Sequence, residues 1–249
     1  MKVCAIIPAL NEEGSIGLVL RDLPRPLVAE VLVVDNGSRD ATAARAAEAG
    51  ATVVREPRRG YGSACLAGIK HLPPDCDVVL FLDADHSDHA EEAVDLLAPI
   101  REGRAELVIG SRVLGRMLGR METGALLPQA RFGNRLACFL MRILFPSGGV
   151  RFTDLGPFRA ITKAALDRIA MEDTNFGWTV EMQVKALQHG LKVAEVPVRY
   201  RRRKGVSKIT GTVSGTVRAG AKILWTIFRY AWLRPRPRAA AAATSGAKG

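Results

Sequence analysis

Val78-Val79-Leu80-Phe81-Leu82-Asp83-Ala84-Asp85 is the stretch of sequence that decides the fold. Its five consecutive apolar residues predict a strand that is buried on both faces, as in a parallel sheet covered by helices. Open α/β sheets bind their ligands beyond the carboxyl ends of such strands. Asp83 and Asp85 are two residues apart, so on extended backbone their side chains point the same way. A pair of carboxylates suits Mg²⁺ or Mn²⁺, hard cations that often accompany phosphates, whereas the plainer interpretation is an Asp-rich turn.

Strand-like and helical segments alternate on both sides of this stretch. Short apolar runs predict further strands at 3–8, 31–34, 52–54 and 107–109. Amphipathic or alanine-rich segments between them predict helices, among them 60–72 and 90–100. This alternation indicates βαβ units, and therefore an α/β fold with a mostly parallel sheet flanked by helices.

The pattern changes after residue 111. Residues 112–128 show no clear period and are predicted to form a long loop. A helix at 129–145 follows, and the next predicted elements are a strand at 158–161, helices at 164–169 and 180–188, and a strand at 192–200. Three parts are expected: a domain over 1–211, a basic amphipathic helix over 212–233 and a disordered tail over 234–249.

The basic charge of the chain is concentrated near its C-terminus. The 249 residues carry a net charge of +11. From Arg199 onward there are 13 Lys and Arg and no acidic residue, so the first 198 residues hold 23 basic and 25 acidic residues. This distribution predicts a local surface for an anionic partner. The helix at 212–233 fits a membrane interface, and packing on its own domain or on a second subunit fits equally well.

The cysteine pattern and the apolar runs indicate where the protein works. The four cysteines form no CxxC pair, which favours a reducing compartment over zinc binding or a disulfide framework. The N-terminus does not resemble a signal peptide, and no apolar run is long enough to span a bilayer. We expect a cytoplasmic protein.

Polar clusters follow three of the predicted strands, at 8–12, 35–38 and 83–85. The carboxyl ends of parallel strands meet at one edge of the sheet, so these clusters are expected to converge on a nucleotide. Asp35 or Asn36 could bond a base or ribose. The Gly60-Tyr61-Gly62 segment imitates part of a dinucleotide fingerprint, but it follows the third strand and is better explained as the start of a helix.

The motifs together resemble family 2 glycosyltransferases, and within them the dolichol- or polyprenyl-phosphate sugar synthases. The resemblance covers about residues 2–211 and rests on segments in the family's order: 8–12 (PALNE), 34–38 (VDNGS), 60–62 (GYG), 83–85 (DAD), 110–112 (GSR), 154–159 (DLGPFR), 178–182 (WTVEM), 195–198 (EVPV) and 202–208 (RRKGVSK). It implies a GT-A fold, which is Rossmann-like, and inverting transfer of a hexose from a nucleotide-sugar.

The resemblance also assigns roles to individual residues. The nucleotide-sugar would be bound by Pro8, Leu10, Glu12, Val34, Asp35, Asn36, Asp83, Ala84, Asp85 and Arg112. Asp83 and Asp85 would hold Mg²⁺ or Mn²⁺, with Asp85 as the main ligand. Arg202 and Lys208 would bind phosphates of the donor or the acceptor. Ser87 stands where relatives can supply a further ligand, so His86 or water is expected to complete the metal shell.

The choice of acceptor decides whether a catalytic base is needed. A hydroxyl acceptor requires one, and Asp154 and Glu181 are the candidates. A prenyl phosphate is already ionised and requires cations to hold it, which the segment from Arg202 to Lys208 could provide. The identity of the base, GDP or UDP, stays open, because Leu10 and Asn36 depart from the residues common in the family.

We therefore expect a metal-dependent hexosyltransferase that transfers from a GDP-mannose or UDP-glucose type donor to a polyprenyl or dolichyl phosphate, peripherally bound to an anionic membrane at its cytoplasmic face. The first alternative is transfer to a soluble or other hydroxyl acceptor. The remote alternative is a non-enzymatic nucleic-acid-binding module, which the placement of the aromatic residues on a helix disfavours. A membrane partner protein or a homo-oligomer is compatible with the sequence.

Overall fold

The computed structural model describes residues 1–25, 27–146, 150–204 and 213–233. Seven strands lie within these residues: Val3–Ala9 (β1), Val28–Asp35 (β2), Thr52–Arg55 (β3), Val78–Phe81 (β4), Leu107–Ser111 (β5), Arg159–Thr162 (β6) and Val193–Pro197 (β7). Nine α-helices accompany them: Ile16–Asp22 (α1), Thr42–Glu48 (α2), Tyr61–Lys70 (α3), Ala93–Arg101 (α4), Arg112–Met117 (α5), Pro128–Leu144 (α6), Lys163–Ile169 (α7), Trp178–Gln188 (α8) and Val213–Trp232 (α9).

The strands form one sheet in the order β3-β2-β1-β4-β6-β5-β7. All neighbouring pairs are parallel except those of β6, which runs antiparallel to both β4 and β5. The predicted α/β fold with a mostly parallel sheet is confirmed. The chain leaves β1 toward β2 and β3 and then returns to the other side of β1 with β4. The order therefore reverses between β1 and β4, which is where open sheets bind ligands.

Each face of the sheet has its own apolar core. One core contains Ile6, Val79 and Phe81 from the central strands and is covered by α3, α6, α7, α8 and α9. The other core contains Ile7 and Leu80 and is covered by α1, α2 and α4. This division follows from the alternation of side chains along a strand, and it explains why β1 and β4 are apolar at every position.

The structure corrects one of the predictions and refines two others. Residues 112–128 contain the short helix α5, whose N-cap Ser111 accepts a hydrogen bond from the backbone N–H of Leu114 at 3.1 Å, so this segment is not a continuous loop. The strand predicted at 158–161 is present but runs antiparallel, between β4 and β5. The helix predicted at 90–100 begins with a 3₁₀ turn at Ala90–Glu92 before α4.

The helix predicted at 212–233 is present as α9. It packs against α6 and α8, and Ile227 and Tyr230 reach the same core as the residues of α8. Among the described residues, no helix combines the length and apolar character that crossing a membrane requires. The tail predicted at 234–249 lies outside the described residues.

Candidate active site

A cavity of about 460 Å³ opens at the carboxyl ends of β1, β2 and β4, where the sheet order reverses. Seven of the residues that the sequence predicted for donor binding line it: Pro8, Leu10, Glu12, Asn36, Asp83, Ala84 and Asp85. The structure brings these together from three separate strand ends. Three others take no part in the lining: Val34 is buried in the core, Asp35 accepts a hydrogen bond from the backbone N–H of Ser38, and Arg112 pairs elsewhere.

The Asn36 side chain organises the wall of the cavity beyond β2. Its Nδ2 donates to the backbone carbonyls of Glu56 and Arg58 at 2.9 and 2.8 Å, and its Oδ1 accepts from the backbone N–H of Gly60 at 2.8 Å. One buried amide therefore holds the segment between β3 and α3 against β2. This places Arg59, Gly60 and Tyr61 in the lining, none of which the motifs had assigned to donor binding.

The loop between α7 and α8 closes the opposite wall. The backbone N–H of Ser63 donates to the carbonyl of Thr174 at 2.9 Å, and α3 approaches this loop so closely that a Cβ on Gly62 would meet the carbonyl oxygen of Asp173 at 2.0 Å. Asn175 and Phe176 consequently line the cavity. No motif in the sequence pointed to these two residues, because their place depends on the packing of α3 against a distant loop.

Asp83 and Asp85 follow β4 and both line the cavity, but Ala84 and Asp85 lie in a turn and not on the extended backbone that the spacing argument assumed. Burial, together with the neighbouring Asp85, raises the pKa of Asp83 to about 7. Oδ1 of Asp83 is buried and lacks a hydrogen-bond partner among the described residues. In Asp85, Oδ1 accepts from the backbone N–H of Ser87 at 2.9 Å, while Oδ2 lies 3.4 Å from Nη1 of Arg203.

This pair of carboxylates fits a divalent cation. Both supply hard oxygen ligands, and an orphaned buried oxygen on Asp83 is the kind of atom that a cation would satisfy. The described part of the chain holds no cluster of three or more His, Cys, Asp or Glu residues arranged to bind a metal, so the remaining ligands would come from substrate or water. His86 bonds Asp22 through Nε2 at 2.8 Å, so that nitrogen is already engaged.

Asp88 is a further buried carboxylate near this pair that the sequence reasoning missed. It is 3% exposed, and neither of its carboxylate oxygens has a hydrogen-bond partner among the described residues. Burial and the charges of Asp83 and Asp85 raise its pKa well above the usual value. The three acidic side chains therefore form one electrostatic group, which favours a cation nearby.

Among the described residues, Arg203 brings its guanidinium to Asp85. The segment 199–204 runs beside residues 85–88: the backbone N–H of Lys204 donates to the carbonyl of Asp85 at 2.9 Å, and that of Arg201 to the carbonyl of Ser87 at 3.0 Å. Arg203 lies between these two anchors and points into the cavity, where its Nη2 bonds Glu12 at 3.2 Å.

Arg202, which the motif singled out, points the other way. Its backbone N–H donates to the carboxylate of Glu122 at 2.7 Å, and its Nε donates to the carbonyl of Thr123 at 3.0 Å. It is exposed and does not line the cavity. Lys208 lies outside the described residues. Helix α9 supplies another cation that the motifs did not assign, since Arg218 and Gly215 both line the cavity.

Arg112 and Asp154 form a closed pair behind the cavity. Nε and Nη2 of Arg112 donate to the two oxygens of Asp154 at 2.8 and 2.7 Å, and the backbone N–H of Arg112 donates to the same carboxylate at 2.7 Å. Asp154 is fully buried, and the Arg112 guanidinium lies 5.2 Å from the centre of the Tyr200 ring. The pair ties the start of α5 to the loop before β6, and the Asp154 carboxylate does not line the cavity.

Glu181 is also fully buried and paired. Its carboxylate accepts hydrogen bonds from the backbone N–H groups of Glu172 and Asp173 at 3.0 and 2.7 Å and from the Tyr230 hydroxyl at 2.7 Å. Lys185 adds an ion pair at 2.8 Å. This carboxylate joins α8, α9 and the loop that carries Asn175 and Phe176, and it does not line the cavity.

The cavity lies at the reversal point of the sheet and has paired carboxylates and arginines in its lining, which is an arrangement suited to binding a nucleotide in an α/β enzyme. The sequence profile described as "Glycosyl transferase family 2" matches residues 4–170. The chain therefore belongs to glycosyltransferase family 2.

Individual relatives agree with this assignment. The chain is 36% identical to an uncharacterised glycosyltransferase of Mycobacterium tuberculosis, with 86% of this chain and 93% of that protein covered. It is 34% identical to an undecaprenyl-phosphate mannosyltransferase of Micrococcus luteus, with 86% and 90% covered. It is 32% identical to a dolichyl-phosphate hexose transferase of Haloferax volcanii, with 86% and 89% covered.

A solved structure shares the fold. Glucosyl-3-phosphoglycerate synthase from Mycobacterium tuberculosis, crystallised with Mn²⁺, UDP-glucose and phosphoglyceric acid, superposes with a TM-score of 0.73. The two sequences are 22% identical, and the match covers 95% of this chain and 81% of that one. This likeness supports the GT-A fold.

Proposed function

We propose that the protein transfers a hexose, with inversion, from a nucleoside-diphosphate sugar to a polyprenyl phosphate at the cytoplasmic face of a membrane. The family membership makes it a glycosyltransferase, and the named relatives that act on undecaprenyl and dolichyl phosphates support this acceptor class. The donor would occupy the cavity between the ends of β1, β2 and β4.

The cavity offers a different kind of contact at each end. Near β1 and β2, Pro8, Leu10 and Asn36 form a surface for the nucleoside. Near β4, Asp83 and Asp85 would hold Mg²⁺ or Mn²⁺, which would offset the charge on the diphosphate as the sugar departs. Arg203 and Arg218 line the same cavity and would neutralise phosphate oxygens through charge-assisted hydrogen bonds.

We choose a phosphate acceptor because both candidate bases are buried and already paired. A hydroxyl acceptor needs a carboxylate that can take its proton. Asp154 is fully buried and held by Arg112 through both oxygens, and Glu181 is fully buried and holds Lys185 and Tyr230. A phosphate acceptor needs no such base because it is already ionised, and it needs cations, which this site has.

Product formation tests the acceptor directly. The purified protein is incubated with detergent-solubilised prenyl phosphate, Mn²⁺ and labelled GDP-mannose or UDP-glucose, and the organic phase is counted. We expect labelled lipid with one of the donors and none after chelation of the metal. Labelled product on a soluble hydroxyl acceptor, with no labelled lipid from several donors, would refute the proposal in favour of the hydroxyl alternative.

Thermal stabilisation by ligands tests the metal assignment separately. A ligand that binds only the folded protein raises its unfolding temperature, and the rise grows with the logarithm of ligand concentration relative to Kd, so nucleotide-sugars are compared with and without Mn²⁺. We expect Asp85→Asn to abolish the metal-dependent part of the shift. The matched control is Asp95→Asn, a change of the same chemistry on the exposed surface of α4. An unchanged shift in Asp85→Asn would show that Asp85 does not hold the metal.

A further inference from the structure

Among the described residues, the neighbouring helices α6 and α9 carry seven of the large hydrophobic side chains that are exposed. Thirteen large hydrophobic residues are exposed among those described, and all but Met1 and Val94 lie at 117–143 or 217–233. Isolated exposed apolar residues are ordinary on a soluble protein, but a concentration on one region indicates a contact surface.

The exposed residues of α6 follow a helical period. Phe132, Phe139 and Ile143 are 71%, 58% and 56% exposed and lie on the side opposite the buried Ala137 and Met141. Spacings of seven and four residues put them on one stripe of the helix. The exposed Arg135 and Arg142 lie on the same side, at intermediate positions.

Helix α9 repeats the pattern. Its exposed apolar residues are Val217, Trp225, Phe228 and Trp232, again three, four or eight positions apart, while Ile227 faces the core. Lys222 and Arg229 lie over the face of the Trp225 ring at 4.9 and 5.3 Å. Tryptophan between basic side chains is typical of helices that lie at a lipid headgroup boundary.

The two stripes belong to one side of the molecule. α6 and α9 pack on each other, and their inner residues enter the same core on the same face of the sheet. Their outer stripes therefore both face away from that side of the sheet. We name the seven apolar residues of these stripes the interfacial face: Phe132, Phe139, Ile143, Val217, Trp225, Phe228 and Trp232.

The charge around the interfacial face specifies its partner. Residues 112–149 contain six arginines and a single acidic residue, Glu122, and residues 213–233 contain no acidic residue. The basic character of the chain is thus not confined to its C-terminal fifth, because a second acid-poor segment accompanies α6. Arg135 and Arg142 are exposed beside this face, whereas Lys222 and Arg229 also pair with Asp173 and Glu172 at 2.8 and 3.9 Å. Aromatic and aliphatic side chains beside exposed cations complement an anionic bilayer, where each cation near the surface contributes about 1 kcal/mol.

We propose that the interfacial face lies on the surface of an anionic lipid bilayer, with the apolar side chains of α6 and α9 in the headgroup region. This proposal rests on the proposed function, because an enzyme that uses a lipid acceptor must reach it in a membrane. Helix α9 contributes to both sites: Gly215 and Arg218 line the donor cavity, while Trp225 and Phe228 on the same helix belong to the interfacial face. Docking would bring the cavity next to the membrane.

Vesicle flotation without donor or acceptor tests the proposal. Phosphatidylcholine vesicles are compared with vesicles that also contain phosphatidylglycerol. We expect the protein to float with the anionic vesicles, less with the neutral ones, and less again as salt is raised. The double variant Phe139→Asp, Phe228→Asp should bind at least about tenfold more weakly, because two aromatic side chains are lost from the interface and two negative charges are added.

The control variant is Val94→Asp, which places the same charge at an exposed apolar residue of α4, on the opposite face of the sheet. It should float like the unmodified protein. Equal loss in the control and the double variant, or no flotation of the unmodified protein, overturns the proposal. A third result would also overturn the proposal: the unmodified protein does not float, and it forms a dimer in solution that the double variant separates. A second copy of the chain would then cover the face.

Tryptophan emission gives a readout that needs no acidic variant. Trp225 and Trp232 are 54% and 91% exposed, whereas Trp178 is buried at 1%. Anionic vesicles should shift the emission to shorter wavelength, and the shift should vanish in Trp225→Phe, Trp232→Phe. An unchanged spectrum in the unmodified protein contradicts the proposal.

The outcomes distinguish this proposal from the proposed function. Transfer to detergent-solubilised prenyl phosphate without vesicle binding would leave the function standing and remove the interfacial face. Vesicle binding without a labelled lipid product from any donor would leave the face standing and remove the acceptor assignment.

Discussion

The guanidinium of Arg203 lies 3.4 Å from the carboxylate of Asp85. The same guanidinium bonds Glu12, so it links the ends of β1 and β4 across the cavity. Arg203 thus competes electrostatically with any cation that Asp85 would bind. Donor binding would offer Arg203 a phosphate in exchange.

Replacing Arg203 by glutamine should therefore strengthen the binding of Mn²⁺ in the absence of donor. We expect an increase in affinity on the order of tenfold, equivalent to about 1.4 kcal/mol of competing attraction at a partly exposed site. Electron paramagnetic resonance of free Mn²⁺ measures it. Arg202→Gln is the control, because the neighbouring side chain bonds Glu122 and Thr123 outside the cavity. Equal affinities in the two variants would contradict the competition.

The Asp154 carboxylate should matter for stability more than any surface carboxylate. Asp154→Asn leaves Arg112 buried without its anion, so we expect the free energy of unfolding to fall by about 3 kcal/mol. Denaturation by urea measures the loss. Asp167→Asn breaks an exposed pair with Lys163 and should cost less than about 0.5 kcal/mol. Similar losses in both variants would show that the buried pair has no special structural weight.

Glu181 offers a direct test between a structural and a catalytic role. Glu181→Gln weakens the contacts with Lys185 and Tyr230, so we expect unfolding to become easier by about 3 kcal/mol while kcat changes only a few-fold. A catalytic base would instead lose roughly 100- to 10,000-fold in kcat. The control is Glu48→Gln at the exposed end of α2. A large loss of kcat with unchanged stability would restore Glu181 as the base.

Gly62 should tolerate no side chain. A Cβ there would lie 2.0 Å from the carbonyl oxygen of Asp173, so Gly62→Ala must push α3 away from the loop that carries Asn175 and Phe176. We expect a loss of about 1–3 kcal/mol in stability and weaker donor binding, measured by urea denaturation and calorimetry. Gly17→Ala in α1, where nothing lies within 4 Å, should be neutral or stabilising by up to about 1 kcal/mol. Normal donor affinity in Gly62→Ala would contradict this account of the wall.

Local patterns predicted those parts of the site that lie at strand ends. The polar residues after β1, β2 and β4 could be assigned to one edge because parallel strands bring their carboxyl ends together, and most of them line the cavity. Residues such as Asn175, Phe176 and Arg218 carried no comparable signal. Their positions follow from loop and helix packing over long sequence distances, which periodicity does not report.

The sequence by itself determined the α/β class, the strand that ends at Asp83 and Asp85, and the family, because each depends on short apolar periods and local motifs. The tertiary structure alone decided that β6 runs antiparallel, that Arg203 rather than Arg202 enters the cavity, and that Asp154 and Glu181 are buried in pairs. The physical reason is that strand direction, side-chain orientation in a loop and burial depend on which distant segments pack together.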